Sequence, residues 1–189
     1  MKTTKIIFIF WISLMFLVTF TCSLVYIVSQ QSIRLGANQL PAQLAVETST
    51  KLQDIESVKD AIPSEKVDIT KSLNTFVMVY DINKKLIASS AISSGSSIMY
   101  PTGILDNVTQ KNEARVTWQP ERGLRYATVA IKYDGGYIVA ARSLSETEKL
   151  IDTIGKLVIA AWLACAVFLG IGVMIIYRFF VKGYKVRNL

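Results

Sequence analysis

The sequence predicts an α+β domain, a five-stranded antiparallel sheet with helices, held between two transmembrane helices. Three observations carry this expectation. Two long apolar runs, residues 6–28 and 157–177, contain no charged residue. Between them, apolar residues first recur three or four apart and then switch to the alternation of strands. Turn-forming residues divide the alternating part into five pieces.

The elements follow in chain order. At about 1.5 Å per residue, each apolar run reaches across a hydrocarbon core of about 30 Å. The first run is too long for the apolar region of a cleaved leader and no small-residue cleavage pattern follows it promptly, so it reads as an uncleaved anchor. Residues 29–35 continue its helical pattern, and Gly36, Ala37, Asn38 and Pro41 interrupt it. Pro41 suits the first turn of a second, amphipathic helix, whose apolar positions Leu44, Leu52, Ile55, Val58 and Ile62 lead to a stop at Pro63. Ser64 and Asp68 are expected to cap a short continuation. Residues 75–82 (TFVMVYDI) and 85–91 (KLIASSA) then form a hairpin around Asn83 and Lys84. Ser93 to Ser97 is a loop, and residues 104–109 supply one or two helical turns. Residues 114–119 form a strand stopped by Pro120, followed by strands 124–133 and 137–143 joined at Asp134-Gly135-Gly136. Ser145 with Glu148 reads as a capping box opening an exit helix into the second apolar run. Strand order does not follow from the sequence.

The charge distribution sets the class. The chain carries 21 Lys and Arg against 14 Asp and Glu, with 51% hydrophobic residues. All the acids lie between Glu47 and Asp152, where the bases of residues 30–152 balance them. The surplus cations, Lys2, Lys5, Lys156, Arg178, Lys182, Lys185 and Arg187, flank the apolar runs. They read as membrane-flank charges rather than a polyanion-binding face, so no nucleic-acid partner is expected. Positive-inside bias puts residues 1–5 and the basic tail 178–189 in the cytoplasm and residues 29–156 outside a two-pass plasma-membrane protein. Cys22 and Cys165 both fall in the apolar runs, so residues 29–156 hold no disulfide framework. Ala160 with Ala164, Ala166 with Gly170, and Thr19 with Ser23 stand four apart, a spacing that permits close helix contact within the pair or in a homodimer.

Residues 77–90, with their VYDxxxKxIASS pattern, and residues 115–145 (RVTWQPERGLRYATVAIKYDGGYIVAARSLS) resemble the extracytoplasmic PAS-like, or Cache, sensor module of bacterial sensor kinases and chemoreceptors. The resemblance covers most of residues 75–148. It implies a PAS-like sheet with a ligand between the sheet and the segment joining its second and third strands, here residues 92–113. Members of that family usually continue into a kinase or other output domain. Here twelve residues follow the second apolar run and the chain has no His, so output would pass through a membrane signalling partner or the helices themselves.

Candidate chemistry is sparse. Without His, and without Cys between the runs, the usual Ser–His or Cys–His nucleophilic sites and His–Cys metal sites have no residues to build them. Asp54, Glu56, Asp60, Glu65 and Asp68 alternate with Lys51, Lys59 and Lys66 as on a solvated helix face. No enzymatic activity, metal or cofactor is expected. A cationic and aromatic set remains, from which Tyr100, Arg115, Trp118, Arg125 and Arg142 are the candidate residues for a small anionic ligand. Guanidinium forks match carboxylates, and rings supply a floor for an organic body. Alternation puts Arg125 on a face with Val129 and Ile131, and Arg142 at the end of the row Ile138, Ala140, where Asp81 is a candidate counter-ion.

Overall fold

The computed structural model describes residues 2–54, 57–93 and 98–186. The expectations at Ile55, at Glu56, over most of the 93–97 loop and at Arg187 fall outside these residues; so do those on the side chains of Lys2 and of residues 180–186. The chain divides into two compact units: Ile33–Lys149, and Met1–Ser32 together with Leu150–Leu189.

The first of these units is built on a five-stranded antiparallel sheet. Its strands are β2 (Phe76–Asp81), β3 (Leu86–Ser89), β5 (Glu113–Glu121), β6 (Leu124–Tyr133) and β7 (Gly136–Ser143), in the order β3-β2-β7-β6-β5. A two-stranded parallel ladder, β1 (Val67–Asp68) with β4 (Ala91–Ile92), lies beside it in sequence. The helices are α1 (Lys2–Ala37), α2 (Gln39–Asp54), α3 (Val58–Ala61), α4 (Thr102–Lys111) and α5 (Ser145–Val186).

The central strands β2 and β7 are buried on both faces, so their sequences FVMVY and YIVAA read as unbroken apolar runs. Alternation sorts their side chains. Phe76, Met78, Tyr80, Tyr126, Tyr137, Val139 and Ala141 face one core, with Tyr100, Leu105 and Val108 from α4 and its approach. Val77, Val79, Ile138 and Ala140 face the other, with Ala45, Leu44 and Leu52 of α2 and Val58 and Ile62. The sheet is therefore a middle layer with α2 on one side and α4 on the other.

Several elements depart from the sequence reading for identifiable reasons. The helix leaving the first apolar run continues through Gly36 and Ala37, and only Asn38 breaks it. Ser64 and Asp68 do not continue a helix: Val67 and Ile69 donate to the carbonyls of Ser90 and Ile92, which pairs β1 with β4. The second hairpin strand breaks at Ser90, whose hydroxyl, fully buried, accepts from the Val77 amide at 2.9 Å. Pro120 does not stop β5, because β5 is an edge strand and its register shifts between Trp118 and Glu121. The exit helix is capped differently from a capping box. The Glu148 amide bonds the Leu144 carbonyl and its carboxylate bonds Arg125, while the Ser145 amide donates to the Ser143 hydroxyl. A charge-assisted bond to Arg125 outcompetes a neutral cap.

Gly136 is the tightest point of the sheet. It pairs with Asp81 at φ +146°, and a Cβ there would run into the Tyr80 carbonyl oxygen. Gly123, at φ +88°, has open space around it. Gly136→Ala is therefore expected to destabilise the sheet by about 2 kcal/mol or more, and Gly123→Ala by about 1 kcal/mol. Thermal unfolding of the detergent-solubilised chain, followed by near-ultraviolet circular dichroism, checks the order of the two.

Candidate functional site

The two faces of the sheet carry different chemistry, and the candidate residues divide between them. Cross-strand register puts Arg115 opposite Val129, Val129 opposite Ala140, and Arg142 opposite Ala127. Arg125 alternates with Tyr126 on β6, so all three arginines belong to the α2 side. Trp118 pairs with Tyr126 on the α4 side, where Tyr100 also lies. The set expected to form one anion site is thus two sets on opposite faces. Only alternation along β5 between Arg115 and Trp118 could have shown this.

The aromatic set is a packed, hydrogen-bonded core. Tyr100 meets Trp118 edge-on with centroids 5.3 Å apart, Trp118 meets Tyr126 at 5.8 Å, and Tyr126 meets Phe76 at 5.5 Å. Thr128 donates to the Val116 carbonyl, which leaves its oxygen to accept from the Tyr100 hydroxyl at 2.8 Å. Thr109 donates to the Leu105 carbonyl and accepts from Tyr137. The Tyr80 hydroxyl accepts the Tyr100 amide, and Tyr126 donates to the Ile69 carbonyl. These bonds fasten α4 and the β1 segment to the sheet, satisfying each phenol in a site water does not reach. Tyr80, Tyr126, Tyr137, Thr109 and Thr128 complete this network; Tyr126 and Tyr137 belong to the cationic and aromatic set of the meander but not to the five candidates, and Tyr80, Thr109 and Thr128 to neither. Their apolar strand neighbours masked them. The centre of the position expected for a ligand, between the sheet and residues 92–113, is filled by Tyr100, Leu105 and Val108, none more than 2% exposed.

Each arginine already has a carboxylate. Arg115 pairs with Glu113, Arg125 with Glu148 at 2.5 Å, and Arg142 with Glu146 at 3.6 Å. The Arg142 partner is thus Glu146 rather than Asp81, whose carboxylate accepts the Lys85 amide and closes the β2–β3 turn. Arg125 and Arg142 share a consequence. Both reach acidic residues in the first turn of α5, where carboxylates also suit the helix dipole. The Leu144 amide donates to the Arg125 carbonyl at 2.8 Å, and Leu144 is buried. Strands β6 and β7 therefore grip the start of α5 through these ion pairs, the Ser145–Ser143 bond and, one residue before the helix, the Leu144–Arg125 backbone bond. Among the described residues, no three His, Cys, Asp or Glu side chains stand together as a metal site requires.

The other unit is a pair of antiparallel helices. Its half-buried seam runs through Ile7, Trp11, Leu14, Val18, Cys22 and Tyr26 of α1, and through Gly155, Val158, Trp162, Ala166, Leu169 and Val173 of α5. Trp162 donates its indole N–H to Thr19 at 2.9 Å, and Gly155 lets the Tyr26 ring approach. Of the small residues noted in the sequence, Ala166 and Gly170 face this seam, while Ala160 and Ala164 are exposed. Many outward positions are large and apolar, among them Phe16, Phe20, Val167 and Phe168. Both helices are long and apolar enough to cross a membrane.

The chain is thus an α+β domain with a five-stranded antiparallel sheet, joined to two helices of membrane-spanning length and composition. No family model, curated protein or solved structure matches it.

Burial pushes Tyr100 and Tyr126 up to about 12; Asp68 and Glu121 add to the rise at Tyr126, while the Thr128 bond partly opposes it at Tyr100. Tyr80 is raised mainly by burial, and so is Tyr133, with a smaller contribution from Asp81. These groups stay neutral in the folded chain at a pH where the unfolded chain already ionises. Their contribution to stability is complete below pH about 10 and is lost as the pH rises toward about 12. A denaturant midpoint that is flat up to pH about 9.5 and then falls is expected, with a shallower fall in Tyr100→Phe and Tyr126→Phe. An equal fall in both variants would contradict the assignment.

Proposed function

We propose that the chain is a two-pass plasma-membrane protein whose outer, PAS-like domain senses a small ligand or a partner and passes the change to its second membrane helix. The flanking cations support an orientation with both ends cytoplasmic and residues 29–156 outside. The single observation that carries the signalling part is the grip on α5. Arg125 and Arg142 hold Glu148 and Glu146, and the same helix continues through the apolar run to Val186. A change in how β6 and β7 pack would shift the balance between two positions of that helix, which is how a ligand with different affinity for the two states would be read.

A second reading, docking of a separate membrane kinase or receptor, is favoured by one specific feature. The guanidinium groups of the candidate set and the Tyr100 hydroxyl each already have a protein partner, so a small anion would have to displace them. A folded partner, by contrast, can use exposed apolar side chains such as Ile82 and Met99.

The test combines binding with its readout at α5. A metabolite that raises the melting temperature of the full chain is expected to slow amide exchange in the first turn of α5. Arg125→Glu should remove that slowing, and Arg125→Glu with Glu148→Arg should restore it. If a screen finds no stabilising metabolite and a stoichiometric partner co-purifies from membranes, docking replaces small-ligand sensing. If exchange at α5 ignores both the metabolite and the charge swap, the relay itself is wrong.

A further inference from the structure

The helix pair holds a cavity of about 550 Å³ at the end from which the chain enters and leaves Ile33–Lys149. Its chemistry changes along its length. Toward the middle of the helices, Cys22, Val158, Ile159 and Trp162 line it with apolar surface beside Thr19 and Ser23, and the Trp162–Thr19 hydrogen bond ties the two helices there. At the mouth, Asp152 and Lys156 pair at 2.5 Å on successive turns of α5, both well exposed, with Tyr26 opposite.

We propose that this cavity takes one acyl chain and the headgroup of a zwitterionic aminophospholipid. The proposal rests on the membrane-spanning reading and deepens it by naming a ligand. The apolar wall suits a hydrocarbon chain, and its volume lies in the range of ligand sites. The mouth chooses the headgroup. A purely anionic headgroup brought to Lys156 meets Asp152, and a purely cationic one brought to Asp152 meets Lys156. A headgroup carrying phosphate and ammonium together displaces the Asp152–Lys156 pair but returns a charge-assisted bond to each of its members, which a singly charged headgroup cannot do. A primary ammonium donates hydrogen bonds to Asp152, whereas a quaternary one has none to donate. A second copy of the chain is a poorer occupant, since an apolar helix face laid over the mouth would desolvate this ion pair without replacing its bonds.

The test uses the full chain in phosphatidylcholine vesicles and reads Trp162. The background variant Trp11→Phe removes the other intramembrane indole. The Trp11 indole nitrogen is buried without an acceptor, so no bond is lost. Trp118, packed between Tyr100 and Tyr126, supplies a constant signal. Phosphatidylethanolamine with brominated acyl chains, added as a small fraction, is expected to quench Trp162 more than the same fraction of brominated phosphatidylcholine or phosphatidylglycerol. Lys156→Gln and Asp152→Asn should each weaken that excess roughly tenfold. Equal quenching by all three headgroups, or an excess that both variants keep, overturns the lipid site while leaving the spans intact. Uniformly weak quenching by all three would mean that a second copy fills the cavity, and also overturns it. No quenching by any brominated lipid would instead sink the membrane-spanning reading.

Discussion

The pairing of β2 with β7 is the constraint on which the rest of the domain depends. The first hairpin and the later meander are each local structures that need only their own turns. The ladder from Phe76–Ala141 to Asp81–Gly136 joins them across a long stretch of chain. Closing that stretch costs entropy that local pairing does not. The compensation is burial on both faces, since Val77, Met78, Val79, Ile138, Val139 and Ala140 lose all contact with solvent. The same ladder demands glycine at 136, because the Tyr80 carbonyl lies where a side chain would begin. Once the ladder forms, two faces exist for α2 and α4, and β7 is aimed into Leu144 and the first turn of α5.

That geometry explains why the candidate residues do not converge. Strand alternation puts Arg115 and Trp118 of the edge strand β5 on opposite faces of the sheet, so they cannot serve one ligand. The α4 layer tolerates phenols because each hydroxyl finds a protein partner. The α2 layer leaves its arginines at the rim, where they are half-exposed and meet carboxylates. Two of those carboxylates belong to α5, which turns a set of surface charges into a connection between sheet and helix. Exposed pairs of this kind contribute about 0.2–1 kcal/mol each.

Much of this architecture was legible in the sequence. The apolar runs, the five strands and the turns at Asn83-Lys84 and Gly135-Gly136 follow from period and turn chemistry, and strand 124–133 matches β6 residue for residue. The β1–β4 ladder was not legible, because two-residue strands carry no period. The passage of β5 through Pro120 was hidden because a sequence does not say which strand lies at an edge. The hydrogen bonds of the buried tyrosines were missed for a related reason: Thr109 and Thr128 look like ordinary helix and strand residues until strand order places them beside Tyr137 and Tyr100. The partners of Arg125 and Arg142 depended on where α5 begins relative to the sheet, which is tertiary information.

The proposed sensing scheme requires residues 29–156 to lie outside the membrane and both chain ends inside. The most direct test is labelling of intact cells with a membrane-impermeant maleimide in a background carrying Cys22→Ala and Cys165→Ala. Asp134→Cys, at the exposed β6–β7 turn, should be labelled without permeabilisation, and Lys5→Cys only after it. Labelling of Lys5→Cys in intact cells, or protection of Asp134→Cys, would contradict the topology and with it the sensing scheme.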